Sequence, residues 1–402
     1  MPAAPTLVLS LNAGSSSLKF DLFGFPGGDR IVSGSVDRLG SDRSELQLRV
    51  VDENREVRRV RLRDHRAAVL NLAERLRDHG GIPVTGIAIV GHRIVHGSNL
   101  YVDPVKVTAE VERDIASLAP LAPLHQPASL DALRAARSAW PDAVQVACFD
   151  TAFHAKLPPA ARYYAIPLEL GLRHGIRRYG FHGISHSYLA AEAARLLGRP
   201  LARLRIVTCH LGAGCSLTAV KGGRSIDTTM GYSPLEGLPM QTRSGDIDPA
   251  AVARIAEVRG WSLDETIRFL NTSSGLRGVS GTSGDMRDVM EERRKGHEPA
   301  EIAIDIYTGR IRKTIGAYAA AMGGLDAVVF SGGVGENQPE IRSLCCAGLE
   351  FLGIGIQSGR NRRVAGPSQP HDISTDNARV RTLVIPTDES LSIARQAWAL
   401  AG

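Results

Sequence analysis

Apolar residues along the chain follow two periods. Short runs rich in Val, Ile and Leu predict strands over 6–11, 17–23, 86–90, 143–149, 204–210, 215–221, 326–331 and 380–385. Between them, apolar positions recur three and four residues apart and predict helices over 65–78, 128–138, 185–197, 248–258, 299–322 and 387–399. Strands that alternate with helices along the whole length predict an α/β architecture. No low-complexity linker and no short repeat interrupts the pattern. At 402 residues the chain exceeds the size at which a single core stops growing, so two domains are expected.

One break in the pattern carries chemistry. In "LSLNAGSSSLKFDLF" (9–23) an apolar run gives way to small and polar residues and then resumes with Lys19 between Leu18 and Phe20. Asn, Gly and Ser suit the turn of a β-hairpin. The same residues suit a phosphate cradle, where small side chains let backbone N–H groups reach an anion and a lysine neutralises it. It is not a Walker loop, which needs Gly-Lys-Ser/Thr opening a helix. A fainter copy follows in "RIVTCHLGAGCSLTAVKGG" (205–223), again strand, small-residue turn and returning strand. Two such hairpins, half a chain apart, predict a duplicated domain with one ligand between the copies.

Composition narrows the class. Hydrophobic residues make up 43% and charged residues 22%, ordinary values for a globular protein. The net charge of +6 is dispersed, and the densest basic stretch, Arg55 to Arg66, is broken by Glu56 and Asp64. It reads as a solvated strand and helix face, not a nucleic-acid surface. Five cysteines, odd in number and without a C-x-x-C pair, point to reduced thiols and a cytoplasmic home. There is no basic leader and no apolar run of eighteen residues, so neither export nor membrane insertion is expected.

Several segments set charged groups beside glycine. "VGHRIVHGS" (90–98) ends a strand with His92, Arg93 and His96, and its arginine is either a structural ion-pair partner or a clamp on a carboxylate or phosphate. "VACFDTAFH" (146–154) places Asp150 just after a strand, where α/β folds display ligand groups, unless it caps the following helix. "RRYGFHGISHSYL" (177–189) carries His182 and His186 at i, i+4, a spacing that can bind zinc but lacks the acidic residue of a zinc-protease helix. "LPMQTRSGDIDP" (238–249) offers Arg243, Asp246 and Asp248, with a helix starting at Asp248 or Pro249. "VFSGGVGENQPEI" (329–341) is a strand, a Gly-rich turn and a helix.

Singly these segments are weak, but their order is specific. The chain resembles the acetate kinase family, of the acetate and sugar kinase, Hsc70 and actin superfamily. The resemblance rests on "NAGSSSLKF", "GHRIVHG", "LAPLHQPASL", "FDTAFH", "RRYGFHGISH", "HLGAGCS", "DTTMGYSPLEGLPMQTRSGDIDP", "SGLRGVSGTSGDMRDV", "FSGGVGEN" and "IPTDESLSIAR", which run from residue 12 to about 395. It implies two related actin-like, ribonuclease H-like α/β domains with an interdomain cleft. The first would span 1–150, with a C-terminal helix over 388–402 packing back on it; the second, nucleotide-binding domain would span 151–387.

The resemblance implies a reversible phosphoryl transfer from ATP to acetate, giving acetyl phosphate and ADP, with Mg²⁺, or Mn²⁺ in its place, as cofactor. Its metal site falls on Asn12 and Glu389, and its catalytic residues on Asp150, His182 and Arg243. Arg93 would meet the substrate, whose acyl pocket falls on Val95, Leu124, Phe181 and Pro234. The nucleotide would be met by Lys19, by His210, Leu211, Gly212, Ala213 and Gly214, by Asp285, Met286 and Arg287, and by Gly332, Gly333, Val334, Gly335 and Glu336. Homodimer formation is implied by the resemblance alone. The partners expected are acetate and ATP, with no nucleic acid or membrane.

Acetate is already ionised at neutral pH, since its pKa lies near that of Glu, about 4.3. Catalysis then reduces to positioning and charge neutralisation. Asp150, usually the family's acid/base, suits better the orienting of an arginine or a metal-bound water. Two positions depart from the family: Ala213 replaces the usual Asn, and Gln241 the usual Gly. Losing the Asn amide predicts weakened nucleotide handling of about 0.5–1.5 kcal/mol, one neutral hydrogen bond. Val95 predicts a small acyl pocket, favouring acetate over the alternative substrates propionate and butyrate. A catalytically inactive nucleotide-binding relative is the alternative from another class.

Overall fold

The strand–turn–strand at the start of the chain is a β-hairpin. β1 (Thr6–Ala13) pairs antiparallel with β2 (Ser17–Phe25), Asn12 opposite Lys19, and the turn closes with Gly14 N–H donating to the Ser17 carbonyl at 2.8 Å. In the computed structural model, residues 4–51, 56–80, 86–122 and 125–402 are described. The chain divides into one unit made of residues through Ala155 together with Asp388–Gly402, and a second made of Lys156–Thr387.

The first unit adds β3 (Asp29–Asp37), β4 (Glu45–Val50), β5 (Glu56–Arg59), β6 (Ile87–Ile94), β7 (Val105–Lys106) and β8 (Val144–Phe149). Among the described residues they form a sheet in the order β5-β4-β3-β2-β1-β6-β8-β7. β1 to β5 run antiparallel, whereas β1, β6 and β8 are parallel neighbours. Parallel strands need faces covered on both sides. Val90 of β6 belongs to the core under the helices His65–Gly80 and Gln126–Ala139, while the next residue, Gly91, faces the C-terminal helix Glu389–Ala401. A Cβ on Gly91 would lie 2.8 Å from Ile393 Cγ2, so only glycine admits that helix so close.

The second unit repeats the plan. β9 (Arg205–Leu211) and β10 (Cys215–Lys221) form its hairpin, followed by β11 (Arg224–Thr228), β12 (Ala327–Ser331), β13 (His371–Asp372) and β14 (Arg381–Val384). The order is β11-β10-β9-β12-β14-β13, with β9, β12 and β14 parallel. The run β11-β10-β9-β12-β14 matches β3-β2-β1-β6-β8 in both order and direction, so the faint duplication in the sequence is a duplicated sheet. The expected α/β class, as two related sheets, is what the chain forms. The structure also contains elements the apolar pattern did not predict: β3, β4, β7, β11 and β13, and the helices Ala109–Ser117, Leu263–Thr272, Gly275–Ser280 and Met286–Arg294.

Of the basic stretch, Arg55 lies outside the described residues; the rest supplies β5, a connection, and the start of the helix at His65.

Candidate active site

In the first unit, three parallel neighbours end at one edge of the sheet and each delivers a polar side chain there: Asn12 from β1, Arg93 from β6, and Asp150 directly after β8. Carboxyl ends of parallel strands are where α/β folds place ligand groups. Arg93 donates Nε–H (3.0 Å) and Nη2–H (2.5 Å) to Asp150 Oδ2, and Nη1–H to Asn12 Oδ1 at 3.0 Å. Asn12 Nδ2–H in turn donates to Glu389 Oε2 at 2.9 Å, from the first turn of the C-terminal helix. Burial alone would lower the Arg93 pKa, but the Asp150 and Glu389 carboxylates raise it above the ordinary arginine value. Three of the five guanidinium N–H groups are thus engaged, and two remain for a ligand.

Asp150 does not cap a helix, as one reading of the sequence allowed; Thr151 stands at that position and Asp150 is nearly fully buried against Arg93. Lys19 is exposed and shares the cross-strand position of Asn12. A residue that the sequence did not single out, His65, donates its Nε2–H to the Gly14 carbonyl at 2.8 Å and so pins the hairpin turn.

In the second unit His182 precedes the helix Gly183–Leu197 with φ of +56°, a left-handed conformation uncommon outside glycine and often found where function requires strain. Its ring lies 4.4 Å from that of His210 on β9. A Cβ on Gly214 would sit 3.4 Å from His182 Cε1, 3.5 Å from its Nε2 and 3.7 Å from Arg243 Nη1. His182, Arg243 and the β9–β10 turn therefore border one space that a side chain at 214 would fill. Arg243 donates only to the Pro234 carbonyl (3.3 Å) and approaches Met240 Sδ (3.6 Å). Among the described residues no carboxylate pairs with it. Burial lowers its pKa, yet an arginine stays charged at neutral pH.

A cavity of about 440 Å³ lies beside this turn, lined by Gly212, Ala213, Asp285, Met286, Arg287, Gly333 and Val334 among the expected residues. It is also lined by Gln241, Leu276, Gly284, Asn337 and Gln338. The first set is the one the family resemblance implied, whereas the second comes from loops and from short helices with no strong period. His210, Leu211, Gly214, Gly332, Gly335 and Glu336 do not line it. The Glu336 carboxylate instead accepts N–H bonds from Gly332 (2.8 Å) and Thr387 (3.1 Å), holding its own loop. Asp285 caps the helix Met286–Arg294, and the hydrogen bonds from Arg287 hold its carboxyl down at about 2.

Of the expected acyl-pocket residues, Val95 and Phe181 are buried, in the first and second unit respectively, and Pro234 is half-buried beside Arg243. Leu124 lies outside the described residues.

Asn12 and Glu389 offer an amide oxygen and a carboxylate. Magnesium is usually held by one or two carboxylates with waters and substrate phosphates, not by an all-protein cage, and this donor set fits that pattern. Arg93 already donates to Asn12 Oδ1, so of the two groups the charged Glu389 carboxylate would be the stronger donor to such an ion.

Residues 7–395 match the model of the acetokinase family. The acetate kinase of Clavibacter sepedonicus is 48% identical over 401 residues, covering 98% of this chain and 99% of that protein. Among solved structures, Porphyromonas gingivalis acetate kinase superposes with a TM-score of 0.91 at 40% identity, covering 99% of this chain and all of the other. A propionate kinase from Francisella tularensis subsp. tularensis SCHU S4 superposes with a TM-score of 0.91 at 37% identity, over 98% of this chain and all of that one.

Proposed function

With the chain a member of the acetokinase family, we propose that it transfers a phosphoryl group from ATP to acetate, reversibly, giving acetyl phosphate and ADP. The observation that carries the reading is Arg243, a half-buried guanidinium with no carboxylate partner, set beside His182 and the turn at Gly214. A cation withheld from ion pairing is poised to meet an anion, and the equatorial oxygens of a phosphoryl group in flight carry negative charge.

In this reading the first unit handles the acid and the second the nucleotide. The two N–H groups left on Arg93 take the acetate carboxylate, and Asp150 holds the guanidinium in place. The double hydrogen bond from Arg93 supports that orienting role and not proton abstraction, since acetate arrives ionised. Asn12 and Glu389 hold Mg²⁺, or Mn²⁺, which when bound neutralises charge on the nucleotide phosphates. Lys19, opposite Asn12, meets phosphate. The cavity at Ala213 and Asp285–Arg287 takes the nucleotide, and His182 and Arg243 stabilise the phosphoryl group in flight. Val95 keeps the acyl site small. A homodimer in the cytoplasm completes the proposal; the five cysteines, all buried and free of disulfides, suit a reducing compartment. No helix among the described residues is long and apolar enough to cross a membrane.

A second reading, propionate as preferred acid, is favoured by the equal TM-score of the propionate kinase. Trapping the acyl phosphate as its hydroxamate with acetate, propionate and butyrate, each with Mg-ATP, tests both. Acetate should give the largest kcat/KM. No hydroxamate from any acid would overturn the kinase reading, and a larger value with propionate would overturn acetate.

A further inference from the structure

The i, i+4 pair His182 and His186 is joined by a third residue that the functional reading leaves unused. The Ser216 hydroxyl, fully buried on β10, lies 2.8 Å from His182 Nδ1 and 2.7 Å from His186 Nε2. His186 Nδ1 lies 2.7 Å from the hydroxyl of Thr208 on β9, and that hydroxyl donates to the Thr218 carbonyl at 3.4 Å. His186 and Thr208 are also fully buried.

A hydroxyl carries one proton, and a carbonyl can only accept, so the direction of the chain follows from its inner end. Thr208 gives its proton to Thr218 and accepts Nδ1–H from His186. A buried imidazole avoids a net charge, so His186 Nε2 carries a lone pair and accepts the Ser216 proton. The Ser216 oxygen is then left to accept Nδ1–H from His182. The other edge of His182, Cε1 and Nε2, borders the space at Gly214 and Arg243.

Resting on the role assigned above to His182, we propose that Ser216 is a positioning residue for phosphoryl transfer: through the relay Thr208–His186–Ser216 it keeps a proton on His182 Nδ1 and directs Nε2 to the phosphoryl group. An acceptor fixed at Nδ1 keeps that proton in place when a second proton occupies Nε2, so the ring meets the phosphoryl oxygens as a cation with a donor aimed at them. It also fixes the ring orientation, as hydrogen bonds to the distal nitrogen of a functional histidine do elsewhere. The sequence showed the histidine spacing but not the serine, which lies thirty residues further along the chain and on another element.

The test is a double-mutant cycle with Ser216→Ala and His182→Ala, read as kcat, KM for acetate and KM for ATP. Ser216→Ala removes one oxygen from a packed site, and an unchanged thermal midpoint confirms folding. We expect kcat to fall about 10- to 100-fold, the cost typical of losing an outer partner of a functional imidazole, with both KM values within about twofold. In the His182→Ala background the same substitution should change kcat by less than about twofold, because the residue it acts through is gone. Equal losses in both backgrounds would make Ser216 merely structural and overturn the proposal. Loss in His182→Ala with none in Ser216→Ala would overturn the relay while leaving the function intact. Wild-type turnover by His182→Ala would overturn the role of His182 and the relay with it. Nitrogen-15 spectra of the wild-type histidines give an independent reading: a bare Nδ1 on His182 would reverse the chain and refute the assignment.

Discussion

Arg93 and Arg243 are chemically identical and are treated in opposite ways. Arg93 is held by Asp150 and Asn12, so removing it also strands a buried carboxylate; Arg243 is held by a carbonyl and a thioether, so removing it strands nothing. Arg243→Ala should therefore lower kcat by about 10²–10³-fold, the usual cost of one transition-state donor, while leaving the thermal midpoint nearly unchanged. Near-normal turnover in a folded Arg243→Ala protein would show that the unpaired cation serves something else. At Val95 the argument is volumetric. Val95→Ala opens room for about one methylene, whose burial contributes about 0.8 kcal/mol, and leaves acetate loosely placed. The propionate-to-acetate ratio of kcat/KM should rise several-fold. An unchanged ratio would locate the acyl site away from Val95.

Elements carry Asn12, Arg93 and Asp150 to one edge of the first sheet, and one close fit beneath them is the C-terminal helix on β6. Gly91→Ala would set a methyl 2.8 Å from Ile393 and 3.1 Å from Ala397, so the helix must move outward. Overpacking of this kind costs about 1–3 kcal/mol. Because Glu389 opens that helix, the variant should combine a lower thermal midpoint with a raised requirement for Mg²⁺ in the kinase assay. A loss of stability with unchanged Mg²⁺ dependence would separate the helix from the metal. The elements visible in the sequence were those whose burial imposes a strong period. β10 and β12 are almost wholly buried and read as apolar runs, and Glu298–Met322 repeats its buried face through seven turns. β3 buries only Val32 and Val36 of nine residues, and the short helix Leu263–Thr272 only Thr266 and Leu270. Such elements are held by neighbours in the sheet or by capping, as in the Ser262–Glu265 box, and leave little trace in hydropathy. The same holds for the site. Arg93 and Asp150 stand out as polar residues at the ends of apolar runs and His182 by its spacing from His186, whereas His65 and Ser216 become partners only once distant segments are folded together.

At the scale of the molecule, acid sensitivity has an identifiable source. Burial pushes His92 down to about 4, partly opposed by its hydrogen bond to Gln145, so the folded protein keeps it neutral while the unfolded chain takes up a proton near 6.5. The folded-state pKa is depressed, so the protein has its full stability above pH 6.5 and loses it as pH falls toward 4. By linkage this one group removes on the order of 3 kcal/mol across that window. His92→Asn should flatten the fall of the thermal midpoint between pH 7 and pH 4.5, and an equally steep fall in the variant would assign the acid sensitivity to other groups. The first unit is also discontinuous: its sheet is built from residues before Lys156, yet the helix that covers β6 on the Gly91 face, and carries Glu389, follows the whole second unit in sequence. On the ribosome, that face of β6 stays uncovered while more than two hundred residues of the second unit are synthesised, and the second unit can close before the first. A truncation after Thr387 would thus be felt in the sheet built from the first residues, left open on one face and prone to aggregate, before it was felt as the loss of Glu389.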